Sequence, residues 1–401
     1  MSVTEFHNPF IDSGRDVLIA EAVRTPMGRA NPEKGWFRDI HPNAMLGACY
    51  TDILAKSALD PAVIEDLIIG CTAPFGEQSR NVGRNAWLQA GYPPEVPAMQ
   101  VDRRCGSAQT AAAIGAAFVA SGMHELVIAG GVENMGRIPM NSVGEIEKLY
   151  GDAWPPELRE LYDFVPQGES AELIRERWNI SREEQDEFAV RSHALATAAI
   201  ANHRFDAEMV RYELDGEVRL SDQSVRPGTT LESLAGLKTV FRAENGTVTA
   251  GSSSPLTDGA AAVLLASRPA SEQHGLKVRA RILDQTTVGV DPIIMLTGPI
   301  PATRKLLERN NLTINDNDLI EINEAFASVV LAWEQELQPD MDRVNVNGGA
   351  IALGHPVGAT GSRLIATLLA EMERRDVELG LVTMCCGGGL GTATLIQRIS
   401  E

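Results

Sequence analysis

Short apolar runs alternate with helix-length patterns at both ends of this chain, and that alternation restricts its fold more than any other feature. In the first stretch, Asp16–Val23 reads as a buried strand ending at Arg24-Thr25-Pro26. A helix pattern over Ala44–Ala58, a strand at Asp66–Gly70, a small-residue helix from about Ser107 to Ser121 and a strand at Glu125–Ala129 follow, closed by Gly130-Gly131. After Thr247 the alternation returns: strand Ala260–Ala266, helix Pro301–Asn310, strand Leu319–Ile322, helix Gly361–Arg374, strand Gly380–Met384. Such alternation predicts a parallel sheet with helices on its faces. Two echoes suggest that the stretches are similar halves. Asp66-Leu-Ile68 precedes Phe75 as Asp318-Leu-Ile320 precedes Phe326, and each half places a helix and a strand before a glycine cluster.

Between the halves, from about Gly136 to Asn245, charge rises and strand-like runs are few, so this stretch reads as an inserted loop domain. Its long polar helix opens at Ser181, with Glu184 completing a capping box, and the charges that follow are expected to form a solvated face. The resulting domains are residues 1–135 completed by 247–270, the loop domain 136–246, and 271–401. A length of 401 residues suits such a division, because single domains usually hold about 100–200 residues.

Charge and cysteine usage narrow the function. Lys plus Arg number 35 against 54 Asp plus Glu, a net charge of −19 that opposes nucleic acid and anionic membranes as partners. A phosphate-bearing substrate would need a local positive site. No apolar run approaches the ~20 residues that span a bilayer. The N-terminal Met1 to His7 lacks a leader pattern and the C-terminal Arg398 to Glu401 matches no address signal, so a cytoplasmic location is expected. The five cysteines are odd in number and contain no Cys-x-x-Cys pair, which predicts reduced thiols and no metal site.

Three positions carry the chemistry. Cys105 stands directly before the small-residue helix, where peptide dipoles and unpaired N–H groups are expected to lower a thiol pKa. A free cysteine is more often a small buried hydrophobe, so the position alone does not decide. His355 lies in a segment with five glycines in fifteen residues, Asn347 to Gly361, where backbone and a small substrate can approach closely. The segment lacks the Gly-Lys-Ser/Thr ending of a phosphate loop. Cys385 and Cys386 end the last strong strand, and alternation puts one toward the sheet face and the other toward the Gly387-Gly388-Gly389 turn. Pattern alone leaves open which does which.

Read together, Cys105-Gly-Ser, Asn323-Glu-Ala-Phe326, Gly354-His-Pro-Val-Gly358 and Cys385-Cys-Gly-Gly-Gly389 resemble the thiolase family, over nearly the whole chain and in the family's order. Val248-Thr-Ala-Gly251 and Asp258-Gly-Ala-Ala261 add to the match. The resemblance implies an α/β fold of two similar βαβαβαββ halves, stacked as α-β-α-β-α layers with an inserted loop domain. It implies an acyltransferase that cleaves 3-oxoacyl-coenzyme A with coenzyme A as co-substrate, no tightly bound cofactor, release of acetyl- or propionyl-coenzyme A, and a homodimer or homotetramer. It casts Cys105 as the nucleophile that holds the acyl group as a thioester, and His355 as the acceptor of its proton. His355 and a water on Asn323 would stabilise the enolate, Cys385 would be the second acid/base, and the N–H groups of Cys105 and Gly387 an oxyanion hole. Ser254, Ala250 and Arg226 would contact coenzyme A.

The chain also departs from the family pattern. Pro166-Gln-Gly-Glu-Ser-Ala-Glu172 replaces the commoner His-Met-Gly-x-Thr-Ala-Glu that shapes a short acyl pocket, and Pro255-Leu-Thr replaces Gly-Ile-Asn. The segments at Gly76–Ser79, Glu324–Val330 and Met341–Gly349 resemble degradative thiolases, including some acting on bulky sterol side chains. The alternatives are a condensing acetoacetyl-coenzyme A thiolase and a non-catalytic scaffold of the same fold. A decarboxylating synthase would carry a histidine where Cys385 stands, and a nicotinamide dehydrogenase would need Gly-x-Gly-x-x-Gly after the first strand.

Overall fold

A computed structural model describes residues 15–399. The termini read above for address signals, Met1 to His7 and Ser400-Glu401, lie outside the described residues. The N-terminal half contributes β1 (Val17–Arg24), β2 (Asp66–Gly70), β3 (Ala98–Val101), β4 (Leu126–Asn134) and β5 (Thr257–Ser267). The C-terminal half contributes β6 (Ala280–Gly289), β7 (Leu319–Ile322), β8 (Leu379–Cys386) and β9 (Leu390–Arg398). They run in the order β7-β8-β9-β6-β1-β5-β4-β2-β3. The halves meet where β1 pairs with β6 through only Leu18–Arg281 and Ile19–Ala280.

Each half repeats the same plan. From the junction outward the strands are β1-β5-β4-β2-β3 in one half and β6-β9-β8-β7 in the other, with Val344 bridging Ile320 where β3 stands in the first. The sequence echo at Asp66 and Asp318 thus falls on or beside the corresponding strands β2 and β7. The sheet is mixed, where alternation alone predicted a parallel one. Helical crossovers make β2, β3 and β4 parallel to one another, but β8 passes to β9 through the Gly387-Gly388-Gly389 turn, and so short a connection permits only antiparallel pairing. β5, returning from the loop domain, is likewise antiparallel to β1 and β4. Strands β3, β6 and β9 escaped the sequence reading because they are short or carry Arg, Asp, Gln and Thr among their apolar residues.

Six helices matter for the site: α1 (Pro42–Lys56), α2 (Ser107–Ser121), α3 (Gln167–Arg177), α4 (Arg182–Ala201), α5 (Pro299–Arg309) and α6 (Thr360–Arg375). α1 covers the outer face of the N-terminal sheet and α5 that of the C-terminal sheet, while α6 packs on strands of both halves and on α2. The layers are therefore α-β-α-β-α. Three apolar cores follow from this stacking, one under each outer helix and one between the halves. The middle layer is close because its helices carry small residues: a Cβ on Gly361 of α6 would overlap the backbone nitrogen of Gln109 in α2.

In the loop segment, α4 starts with the expected capping box, Glu184 N–H to Ser181 Oγ at 3.1 Å and Ser181 N–H to Glu184 Oε2 at 2.7 Å. Its charged opening is less solvated than predicted. Gln185 and Asp186 are buried, the first donating to Thr247 Oγ1 at 2.9 Å and the second paired with Arg182 at 2.6 Å, because α4 packs on the C-terminal half rather than lying on the surface.

Candidate active site

The turn between β3 and α2 is wound tightly around one buried sulfur. Asp102 Oδ1 accepts the Arg104 N–H at 2.7 Å, Arg104 takes a left-handed conformation at φ 50°, and Ser107 Oγ bonds both Arg103 N–H at 2.8 Å and Arg104 O at 2.6 Å. Gly106 follows because a Cβ there would lie 2.5 Å from Cys386 Sγ. Cys105 itself is 3% exposed. Its sulfur faces the N–H groups of Gly387 and of Cys105 itself, which favour the thiolate, yet burial outweighs them and pushes the thiol up to about 11. The sequence expectation of a lowered pKa is overturned: the helix start supplies N–H groups, but desolvation of the anion is the larger effect. Cys105 therefore needs a base.

His355 is that candidate. It sits in the loop before α6, anchored where Gly354, at φ 110°, leaves no room for a Cβ beside Thr257 and where Gly358 N–H donates to buried Glu133 at 3.0 Å. The tautomer follows from its neighbours. Thr360 Oγ1 donates its proton to Pro356 O at 2.8 Å, so it must accept from His355 Nδ1 at 2.7 Å. Nε2 is then the unprotonated nitrogen, and the Asn323 amide donates to it at 3.4 Å. Burial, and next the charge of Arg363, lower the imidazole to about 3, which keeps it neutral at physiological pH. Asn323 Oδ1 has no protein hydrogen-bond partner and is free to hold a water.

The strand β8 joins these parts. Asn323 N–H donates to Thr383 O at 3.1 Å, two residues before Cys385, and Gly387, two residues after it, offers its N–H to Cys105. The adjacent cysteines divide as alternation requires. Cys386 joins the central core with Cys105, its sulfur against Gly106 and within reach of the Gly106 N–H and Thr392. Cys385 lies instead among Met295, Leu296, Ala325, Phe326 and Val329, and burial, then the negative charge of an ionised Cys105, raise its thiol well above the ordinary value.

The sequence reading missed several supporting groups. Thr360 fixes the imidazole tautomer, and only its hydroxyl at a helix start could have drawn attention to it. Glu133 gathers the Thr72 N–H at 2.9 Å, its hydroxyl at 2.7 Å and Gln78 Nε2 at 2.6 Å besides Gly358. A carboxylate at the end of an apolar strand was its signal. Gln167, which opens α3 within the departing segment, roofs the site: a Cβ on Gly387 would lie 2.7 Å from its Nε2.

A cavity of about 300 Å³ lies alongside, lined by His193, Arg226, Ala250, Gly251, Ser253 and Pro255. Arg226 and Ala250 thus come together. Ser254 stands elsewhere, its N–H donating to Ala325 O at 3.0 Å, while its neighbour Ser253 faces the cavity. Arg226 N–H donates to His193 Nδ1 at 3.2 Å, and burial with the Arg226 charge lowers His193 to about 4.

The chain is similar to known proteins over nearly its whole length. Residues 17–269 match the family model of the thiolase N-terminal domain and residues 276–398 that of the thiolase C-terminal domain. The steroid 3-ketoacyl-CoA thiolase FadA6 of Mycobacterium tuberculosis is 42% identical over 402 residues, covering 98% of this chain and 97% of that one. A 3-ketoacyl-CoA thiolase of Shewanella denitrificans is 42% identical over 396 residues, 96% of this chain and 100% of its own. The crystal structure of the Bacillus anthracis acetyl-CoA acetyltransferase superposes with a TM-score of 0.87 at 36% identity, covering 96% of this chain and 99% of that one.

Proposed function

This chain belongs to the thiolase family and is an acyltransferase, and from that premise we propose that it is a degradative 3-oxoacyl-coenzyme A thiolase whose acyl substrate is bulky. One observation carries the reading: the thiols of Cys105 and Cys385, from different halves, are close enough for the charge of one to act on the other, and Asn323, whose amide reaches the neutral His355, is hydrogen-bonded to the strand that ends at Cys385 and Cys386.

The steps follow from the groups present. Cys105 gives its proton to His355 Nε2 and its sulfur attacks the 3-oxo carbon. The new oxyanion is met by the N–H groups of Cys105 and Gly387, which already point at the sulfur. As the C2–C3 bond breaks, negative charge moves to the thioester oxygen of the leaving acetyl-coenzyme A. His355, now carrying a proton on Nε2, and a water on Asn323 Oδ1 stabilise it. Cys385, kept as a thiol by its apolar surroundings, protonates the carbanion at C2. The resulting thiolate then deprotonates coenzyme A, whose sulfur takes the acyl group from Cys105.

Coenzyme A is the co-substrate, seated in the cavity of Arg226 and Ala250 with Ser253, in place of the expected Ser254, facing its pantetheine arm, and no tightly bound cofactor is required. The bulky acyl group draws on the Mycobacterium relative's name and on Gln167 standing where a short-chain pocket would be built. A cytoplasmic homodimer or homotetramer completes the reading.

A thiolysis assay over 3-oxoacyl-coenzyme A esters from four carbons to sterol-sized, following loss of the 3-oxo thioester, tests it. Turnover is expected to rise with acyl bulk. Activity confined to the four-carbon ester would instead support the condensing acetoacetyl-coenzyme A reading, and none on any ester would support a non-catalytic scaffold.

A further inference from the structure

A second polar pair lies beside the one that holds the imidazole. Arg363, one turn into α6, is wholly buried, and none of its three guanidinium nitrogens has a hydrogen-bond partner. Facing it is the Glu321 carboxyl, whose Oε2 lies 3.6 Å from Nη1 and also lacks a hydrogen bond; burial, opposed by the Arg363 charge, pushes that carboxyl up to about 8. Burying an ion pair with its hydrogen-bonding capacity unfilled is unfavourable, and an apolar pair of similar volume often serves stability as well or better. Packing alone does not account for these residues.

Their placement does. Glu321 and Asn323 are two residues apart at the end of β7 and so share a face. Thr360 and Arg363 are three apart on α6 and share a face as well. Strand and helix are therefore joined by two rungs, Asn323–His355–Thr360 and Glu321–Arg363.

We propose that Arg363 is a positioning residue for the thiolase reaction, acting through His355: its pairing with Glu321 fixes the spacing across which the imidazole is held, and its guanidinium keeps a permanent positive charge behind the ring. This inference rests on the thiolase reading. Behind a fixed cation the ring stays neutral with Nε2 open to the Cys105 proton, and the same field favours the enolate charge that develops in the cavity. The low pKa of His355, owed first to burial and then to Arg363, is consistent with that.

The other ionisable groups packed around this helix are already engaged. Arg24 on β1 is bound by Glu208 and Asp222, and Glu371 by Arg374 and Arg375. Glu324 accepts from Ser192 and Asn345, Glu133 on β4 from Thr72 and Gln78, and Asp258 on β5 from Gly136 N–H. Among the described residues Arg363 is left as the buried cation with all three guanidinium nitrogens unfilled.

The test measures thiolysis kcat, KM for coenzyme A and thermal midpoint against pH for wild type, R363M/E321Q and E321Q. The double variant removes the guanidinium together with the carboxyl that faces it, so neither partner is left alone in the core. It is expected to fold, to lose about tenfold or more in kcat with KM changed less than about twofold, and to move the acid limb of the rate profile up by roughly one pH unit as the imidazole becomes more basic. E321Q keeps the guanidinium and is expected to leave that limb where it is or move it down. A folded double variant with wild-type kcat and limb overturns the proposal. So does an upward shift in E321Q, which decides the matter even if the double variant does not fold, because the carboxylate would then be the controlling group. Wild type with no thiolysis would instead sink the thiolase reading itself.

Discussion

α2 and α6 occupy corresponding places in the two halves, yet they do opposite work. α2 is built of small and uncharged residues, Ser107 to Ser121, and its start delivers N–H groups and a sulfur to the cavity. α6 carries Arg363 and Glu371 in a span buried from Thr360 to Met372, and its start delivers a hydroxyl that fixes a histidine. Duplicated scaffolding thus supports unlike chemistry. The backbone plan sets where each terminus points, and the side chains at the first turn decide whether it serves a nucleophile or a base. α2 is tied across the interface by Gln109, which donates to Thr394 Oγ1 on β9 at 2.7 Å and Val382 O on β8 at 3.2 Å in the opposite half.

Breaking the α2 side should cost most. Cys105→Ser is expected to lower thiolysis by about 10⁴-fold or more with the fold intact, and near-normal thiolysis would end the nucleophile assignment. Cys385→Ala separates the half-reactions: transfer from a simple acyl thioester to Cys105 should persist while carbon–carbon cleavage falls by roughly 10²–10⁴-fold. Full turnover by that variant would move the acid/base role to Cys386. On the α6 side, Thr360→Val removes the acceptor of Nδ1–H, and a kcat loss of about 10–100-fold is expected without a matching rise in KM.

The interface itself is tested by Gly361→Ala. A methyl facing the Gln109 backbone should lower unfolding free energy by about 1–3 kcal/mol in a denaturant titration, and no loss would show that the helices can separate freely. The smallest effect is expected for Arg226→Ala, about a fivefold rise in KM for coenzyme A with kcat unchanged.

Stability against pH sharpens the same contrast, since the two helices set opposite edges. His355 is held near 3, below its ordinary 6.5, so the unfolded chain takes up its proton first. Stability is full above about 6.5 and is lost as pH falls toward 3. Cys105 is raised from 9.0 to about 11, so the unfolded chain ionises first and stability is lost as pH rises between those values. Thermal midpoints should therefore decline at both edges, with His355→Asn making the acid side shallower, a side that His193 shares, and Cys105→Ser the alkaline side, which Cys49, Cys71, Cys385 and Cys386 share. Variants that leave both edges unchanged would place the titrating groups elsewhere.

Much of this was legible from the residues. Periodicity located β1, β2, β4, β5, β7, β8 and the helices α1, α2, α5 and α6, because each is long or strongly apolar. The candidacy of Cys105 and of His355 was suggested by a helix start and a glycine-rich turn. What escaped was short or polar, such as β3, β6, β9 and Thr360, or depended on a partner far along the chain, as Glu133 and Gln167 do.

The amino-acid order by itself determined the alternating halves, the inserted segment, the reactive residue types and the family to which they point, because periodicity and motifs are local properties. Only the tertiary structure decided which of two neighbouring cysteines faces the apolar wall, which imidazole nitrogen is open, and that burial raises rather than lowers the first thiol. Those outcomes depend on solvent exclusion and on contacts that form only in the folded chain, some near in sequence, as Thr360 to His355, and some hundreds of residues away, as Gly387 to Cys105, and no periodic pattern records them.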